Sequence, residues 1–101
     1  MTILIAGTLN VDPSKTDTVM ADAAVMMKAS HAEDGCHAYA FSLDPIEPGL
    51  VHLFEKWESE EALAAHAQSA HMKAFQPKMG GWGITGASIL KYEVASEGPL
   101  R

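Results

Sequence analysis

The sequence predicts a single α+β domain with its elements in the order strand, helix, strand, strand, helix, strand. The chain has 101 residues, about the length of one small domain. Apolar residues make up 48% of it and charged residues 20%, which is typical of a globular protein. Segments in which every second residue is apolar alternate with segments in which apolar residues recur every three or four positions. We expect one domain over residues 1–95 and a loose tail over residues 96–101.

The first strand is predicted over residues 3–11, where apolar side chains occupy alternate positions. Gly7 is expected to mark a β-bulge in it. The first helix is predicted to begin at Asp12, a favoured N-cap residue followed by a proline, and to end before Gly35. Its apolar stripe consists of Val19, Ala23, Met26, Met27 and Ser30.

Two more strands are predicted over residues 36–43 and 50–58, joined by a turn that contains two prolines and a glycine. Tyr39 and Phe41 share one face of the first of these strands. One face of the second carries Val51, Leu53, Glu55 and Trp57. The short connection predicts a β-hairpin.

The second helical region is predicted to begin after the N-cap Ser59 and to break near Ser69. Its first part has one stripe, formed by Ala62, Leu63, His66, Ala67 and Ala70. That stripe turns His66 toward the sheet. The second part carries Met72, Phe75 and Met79. The last strand is predicted over residues 84–94.

This order is that of a ferredoxin-like sandwich (βαββαβ), in which both helical regions cover one face of the sheet. The strands are nevertheless apolar on both faces, because Leu4 and Ala6 alternate with Ile3 and Ile5, and Phe54 faces away from its apolar neighbours. A sheet that is apolar on both faces, with helices for only one, predicts a second sheet from another subunit. We therefore expect a homodimer.

Charge and cysteine content exclude several classes of protein. Seven Lys and Arg against thirteen Asp and Glu give a net charge of −6, and no segment concentrates the cations, so neither a nucleic acid nor a membrane surface is an expected partner. The single cysteine, Cys36, fits a reducing compartment, and a cytoplasmic location is expected. The apolar run at the start is too short for a signal peptide or a membrane span.

Three further patterns favour structural roles over chemical ones. Residues 81–86 match the letters G-x-G-x-x-G but precede a predicted strand, so a glycine-rich turn is favoured over a dinucleotide site. His66 and His71 are five residues apart, which does not place two ligands on one helical turn, so no metal is expected and solvated or hydrogen-bonded histidines are favoured. Cys36 has no evident base and is expected to be an unreactive thiol.

Four residues are candidates for a polar site. His66 on an apolar stripe is either a hydrogen-bonded core residue or a polar group in a ligand cavity. Glu55 and Trp57, on one strand face, each need a hydrogen-bonding partner. Asn10, at the end of the first strand, is a candidate amide.

The run LFEKWESEEALAAH at residues 53–66, followed by SAHM at residues 69–72 and by Phe75, resembles the antibiotic biosynthesis monooxygenase family. The segment GCHAY at residues 35–39 is similar to the Gly-Cys-x-x-Tyr segment with which that family enters its second strand. The resemblance covers nearly the whole chain. Its central motif is Glu-x-Trp followed by a helix that ends in His.

The resemblance implies a dimeric α+β barrel that oxidises a small phenol, hydroquinone or anthrone with molecular oxygen and without a cofactor. His66 would be the proton acceptor, because an imidazole titrates near neutral pH. Asn10 and Tyr39 would orient the substrate oxygens. The other substrate-binding residues would be Trp57, Phe75, Met79 and Glu55.

Two alternatives remain. In the haem-degrading relatives, an Asn, a Trp and a His surround the haem, and Asn10 is a match for that Asn. A dimeric module that binds a small apolar molecule without catalysis would also use an apolar pocket with one imidazole.

Overall fold

The computed structural model describes all residues, Met1–Arg101. Its strands are β1 (Ile3–Asn10), β2 (Cys36–Leu43), β3 (Leu50–Trp57) and β4 (Gly86–Glu93), and its helices are α1 (Thr16–His31), α2 (Glu60–Ala67) and α3 (Ala70–Met79). The strands form one antiparallel sheet in the order β2-β3-β1-β4. The predicted α+β ferredoxin-like order is confirmed.

The ends of β1, β3 and β4 lie one or two residues inside the predicted limits. The Val11 N–H donates to the Gly49 carbonyl, and the Glu58 N–H donates to the Gly35 carbonyl. These residues therefore bond to loops and not to the neighbouring strand. Asp12 also acts as predicted, but on a 3-10 turn: its side chain accepts from the Ser14 N–H at 2.9 Å, and α1 follows this turn.

Gly7 does not mark a bulge, and that prediction is wrong. Position 7 pairs in continuous register with Leu53 on one side and Ile89 on the other. A Cβ atom at position 7 would lie 2.0 Å from the Ser88 carbonyl oxygen. Glycine is required because the backbone of β4 passes so close. The irregularity of the sheet lies in β2, between Cys36 and Ala38.

The core lies between the helices and one face of the sheet. The predicted inward residues of α1 are confirmed as buried at Val19, Ala23, Met26 and Ser30. Trp82, in the glycine-rich segment before β4, is also fully buried, and its Nε1 donates to Asp22 Oδ2 at 3.0 Å. Trp82 thereby anchors the glycine-rich segment to the core and to α1.

The predicted break in the second helical region is confirmed between α2 and α3. Each helix has its own serine cap: Ser59 Oγ accepts from the Ala62 N–H, and Ser69 Oγ accepts from the Met72 N–H. The predicted stripe is only partly correct, since Ala67 and Ala70 are exposed. The break turns the chain just after His66, so these two alanines do not continue its face.

The second face of the sheet is not covered by this chain. Phe54, Leu90 and Tyr92 lie on it with 43%, 56% and 47% of their surface exposed. Leu90 and Phe54 flank Ala6 in the register, and Tyr92 pairs with Leu4. We call these five residues the open apolar face.

Candidate active site

His66 lies in the last turn of α2, against the helix-covered face of the sheet, and is only 2% exposed. Its ring centroid is 4.6 Å from that of Trp57 and 5.3 Å from that of Tyr39. The prediction that His66 points inward is confirmed. The aromatic rings shield the imidazole from water, so its interactions with the few polar groups nearby are stronger than they would be in solvent.

Glu33, in the turn between α1 and β2, is the polar partner of this histidine. Its Oε2 atom lies 2.6 Å from His66 Nδ1 and 2.7 Å from His71 Nε2. A carboxylate only accepts hydrogen bonds, so with Glu33 ionised both rings donate to it. A neutral His66 then carries its hydrogen on Nδ1 and a lone pair on Nε2.

The Nε2 atom of His66 is buried and has no hydrogen-bond partner. Buried polar atoms are nearly always paired, and an unpaired one calls for an explanation. With Nδ1 engaged by Glu33, Nε2 is the atom left to accept a proton from a bound molecule.

Glu55 and Trp57 satisfy each other. The Trp57 Nε1–H donates to Glu55 Oε1 at 2.8 Å, and both side chains are buried. Burial raises the pKa of Glu55 above its ordinary value, and Glu33 adds to that rise, whereas the Trp57 hydrogen bond and His66 act in the opposite direction. The sequence predicts that each of these two residues needs a hydrogen-bonding partner, and each is the partner of the other.

Burial also raises the pKa of Tyr39, with the charge of Glu55 as the next cause, so its hydroxyl stays protonated and can donate. Burial raises the pKa of the Cys36 thiol too, which disfavours the reactive thiolate. Tyr39 therefore has a neutral hydroxyl that can donate, and the raised pKa of Cys36 agrees with the unreactive thiol predicted for it.

The other predicted site residues are placed less closely. Phe75 is buried, with its ring 5.9 Å from Phe41 and 5.3 Å from Trp82, and Met79 packs against the same core. They continue the apolar wall away from His66.

Asn10 lies elsewhere. It pairs with Leu50, whereas Trp57 pairs with Ile3 at the other end of β1. Seven residues of strand separate these positions by roughly 23 Å. Asn10, Trp57 and His66 are thus not brought together, as a shared haem site would require.

Glu33, His66 and His71 also form the one group whose ligand atoms, all within 4.8 Å of one another, bring a metal ion into consideration. A tetrahedral zinc ion with bonds of 2.0–2.1 Å separates its ligand atoms by roughly 3.3 Å. The observed separations of 2.6 and 2.7 Å are those of direct hydrogen bonds. Both histidines are thus hydrogen-bonded to Glu33, and the helix break brings the two rings together, which their spacing did not indicate.

A small cavity of about 60 Å³ opens beside this group, between α1 and α3. Met26, His71 and Phe75 are among its lining residues. It is smaller than the enclosed apolar cavity of about 150 Å³ that holds benzene in a well-studied case, and His66 is not among its lining residues. Entry of a ligand to His66 requires the surrounding side chains to separate.

Sequence reasoning missed Glu33. It lies in an irregular turn, where neither a 3.6-residue nor a two-residue period applies. His71 is predicted only to be solvated or hydrogen-bonded and is not among the predicted site residues, although it stands in the SAHM segment that helps to carry the family resemblance. No helix of the chain has both the length and the apolar character needed to cross a membrane.

Comparisons with known proteins place this geometry in a family. The model of the antibiotic biosynthesis monooxygenase family matches residues 2–78. An uncharacterized Synechocystis protein, sll1783, is 30% identical over 93 residues, which is 92% of this chain and 63% of that protein. The probable quinol monooxygenase YgiN of Escherichia coli is 37% identical over 57 residues, which covers 48% of this chain and 55% of YgiN. Both alignments thus span less than two thirds of the length of these curated relatives.

The fold is found in solved structures as well. Rv0793 from Mycobacterium tuberculosis superposes with a TM-score of 0.86 at 21% identity, over 98% of this chain and 100% of Rv0793. The family match covers most of the chain, including His66 and the residues around it from Glu33 to Phe75. The chain belongs to the antibiotic biosynthesis monooxygenase family.

Proposed function

We propose that this protein is a monooxygenase that oxidises a small hydroquinone, phenol or anthrone with molecular oxygen and needs no cofactor. The observation that carries the proposal is the buried, unpartnered Nε2 atom of His66 among Trp57 and Tyr39. The name of YgiN supports the quinol class, and membership of the family supports the type of reaction.

The reaction begins with proton transfer. His66 Nε2 accepts the proton of a substrate hydroxyl, and the resulting electron-rich anion reduces oxygen directly. One oxygen atom enters the substrate and the other leaves as water, together with two hydrogens from the substrate. A hydroquinone gives a hydroxyquinone plus water in this way, so no external reductant is required.

The surrounding residues bind and orient the substrate in this proposal. Tyr39 donates a hydrogen bond to a substrate oxygen, and Trp57 packs against the ring. Phe75 and Met79 extend the apolar wall, and Glu55 fixes the Trp57 indole. We leave Asn10 outside the proposed site because of its position at the other end of β1.

We further propose that the protein acts as a homodimer in the cytoplasm. The open apolar face exposes three large apolar side chains to solvent, where a sheet face in contact with water usually carries polar residues. Packing against the same face of a second copy would remove these side chains from water. The single cysteine fits a reducing compartment.

A binding module without catalysis is the second candidate. The burial of His66 among the rings of Trp57 and Tyr39 supports it, because such a site also suits a protein that only sequesters a small apolar molecule. The two functions differ in one observable: an enzyme consumes oxygen in proportion to substrate, and a binder does not.

The test is oxygen uptake by the purified protein with a panel of hydroquinones and anthrones, in the presence of a metal chelator. His52→Ala is the matched control for His66→Ala, since His52 is an exposed histidine that also contacts a carboxylate, Asp44, at 2.9 Å. Uptake that survives the chelator and His52→Ala but is lost in His66→Ala supports the proposal. Quenching of tryptophan fluorescence by the same compounds without uptake would favour the binding module.

A further inference from the structure

We propose that Glu33 is a positioning residue for His66: it holds the imidazole as the Nδ1–H tautomer, and its charge stabilises the imidazolium that forms when Nε2 takes up a proton. This inference rests on the proposed function for its kinetic part. Its structural part, the tautomer, stands independently of any activity.

One oxygen atom of Glu33, Oε2, is the shared hydrogen-bond acceptor of two histidines. Two imidazole nitrogens lie 2.6 and 2.7 Å from this one oxygen atom. Side-chain exposure is 15% for Glu33, 3% for His66 and 27% for His71, so the bond to His66 is shielded from competing water. A short, shielded bond between a carboxylate and an imidazole fixes which nitrogen carries the hydrogen.

The orientation of the His66 ring determines which nitrogen is free for a substrate. Because Nδ1 faces Glu33, Nε2 faces the buried side, where it has no partner. The other tautomer would place a hydrogen on Nε2 with nothing to accept it and would set a lone pair against the Glu33 carboxylate. The resting site therefore presents a base and not a donor to a substrate hydroxyl.

The negative charge of Glu33 lies next to the ring that becomes positively charged during the reaction. After Nε2 accepts the proton, the ring is cationic in a largely apolar setting, which costs free energy unless a negative group is near. Glu33 is in direct contact with this ring. Four other ionisable side chains lie near His66 and Glu33: Glu55 and Tyr39 of the sheet, Cys36 at the start of β2 and His71 of α3.

His71 holds Glu33 in place. It lies in the first turn of α3 and donates from Nε2 to the same Oε2 atom, so the carboxylate is bound from two helices at once. Glu33 itself lies in a turn, where its side chain would otherwise be free to rotate into solvent. Loss of this second bond should loosen the carboxylate without removing it.

The first experiment measures the tautomer by long-range ¹H–¹⁵N NMR of the ¹⁵N-histidine-labelled protein, with His66 assigned from His66→Gln. The wild type should show a single Nδ1–H form. Glu33→Leu, which removes the acceptor at similar size, should show a mixture or the Nε2–H form. Glu33→Gln should keep the Nδ1–H form, because its amide oxygen still accepts.

The control is Asp34→Asn, which removes one carboxylate from the adjacent, exposed position and should leave the His66 signals unchanged. An Nε2–H form of His66 in the wild type overturns the proposal, and so does an unchanged Nδ1–H form in Glu33→Leu. If Glu33→Leu does not fold, the wild-type spectrum and His71→Ala, which should broaden or shift the His66 Nδ1 signal, decide the question.

The second experiment measures kcat and KM with the substrate found in the oxygen-uptake panel. Glu33→Leu should lower kcat by roughly a hundredfold, and Glu33→Gln, which keeps the tautomer but loses the charge, by roughly tenfold, each with little change in KM. Glu33→Asp should recover part of the Glu33→Gln loss. If Glu33→Leu, Glu33→Gln and Glu33→Asp all have the same kcat, the charge of Glu33 does not stabilise the His66 imidazolium, and that part of the proposal is overturned. If no substrate is turned over, the proposed function fails while the NMR result still decides the tautomer.

Discussion

Nδ1 of His66 lies 2.6 Å from Oε2 of Glu33, although 33 residues separate the two in the sequence. This contact joins the end of α2 to the turn after α1, and it determines which nitrogen of the imidazole is left free. His71 contacts the same oxygen atom from α3, whereas the contact from Trp57 to Glu55 lies within one strand. The site thus combines one pair that lies close in the sequence with two contacts to Glu33 that only the fold brings together.

His66→Gln tests the proposed base directly. Glutamine can keep a hydrogen bond to Glu33 but has no nitrogen that accepts a proton near neutral pH. We expect oxygen uptake to fall by about a hundredfold or more, with the fold retained by circular dichroism. His52→Gln should retain wild-type uptake. A His66→Gln protein with the wild-type rate would remove His66 from the mechanism.

Glu55→Gln tests the buried carboxyl through the pH dependence of stability. Burial raises the pKa of Glu55 above its ordinary value of 4.5 in the folded chain. The protonated form therefore favours folding, and this contribution is complete below pH 4.5 and is lost as the pH rises through the folded pKa. Glutamine stays neutral and can still accept from the Trp57 indole.

The free energy of unfolding of Glu55→Gln, relative to wild type, should therefore increase as the pH rises from 4 toward 7. Urea unfolding of both proteins at several pH values measures it. Glu47→Gln, in the exposed turn between β2 and β3, is the control and should track the wild type. A difference that stays constant or shrinks over this range would contradict the assignment of a raised pKa.

Leu90→Glu tests the open apolar face. Leu90 is 56% exposed in the single chain, and a buried, unpaired carboxylate at a subunit interface is strongly unfavourable. We expect the wild type to elute as a dimer in light-scattering chromatography and Leu90→Glu to shift toward monomer. Ile46→Glu changes a residue that is 87% exposed in the β2–β3 turn and should remain dimeric. A monomeric wild type would contradict the proposed assembly.

The fold was predictable because its signals are local. Alternation of apolar residues gives the strands, and Ser59 caps α2 as predicted. The break predicted near Ser69 is the point where Ser69 caps α3. The inward orientation of His66 follows from the same periodicity. These features depend on residues within a few positions of each other.

The contacts of the site were less predictable, because they depend on register and on turns. Asn10 is polar and ends a strand, but only the pairing of β1 with β3 shows that it lies far from Trp57. Glu33 lies in a turn whose path has no periodic signal. The bulge expected at Gly7 was wrong for a related reason: the need for glycine there comes from β4, about 80 residues later in the chain.

Gly7→Ala tests that last point. The added Cβ atom would lie 2.0 Å from the Ser88 carbonyl oxygen and 2.6 Å from the Ile89 Cα, both of them backbone atoms that cannot rotate away. We expect β4 to shift or detach, with a loss of stability of about 1–3 kcal/mol or more in urea unfolding. Gly98→Ala is the matched control, since a Cβ atom there meets nothing within 4 Å, and it should leave the midpoint unchanged. If Gly7→Ala is as stable as the wild type, the close approach of the β1 and β4 backbones is not a constraint on this position. Because β4 also carries Leu90 and Tyr92, a detached β4 should weaken dimer formation in the same variant, which chromatography at matched concentration would detect.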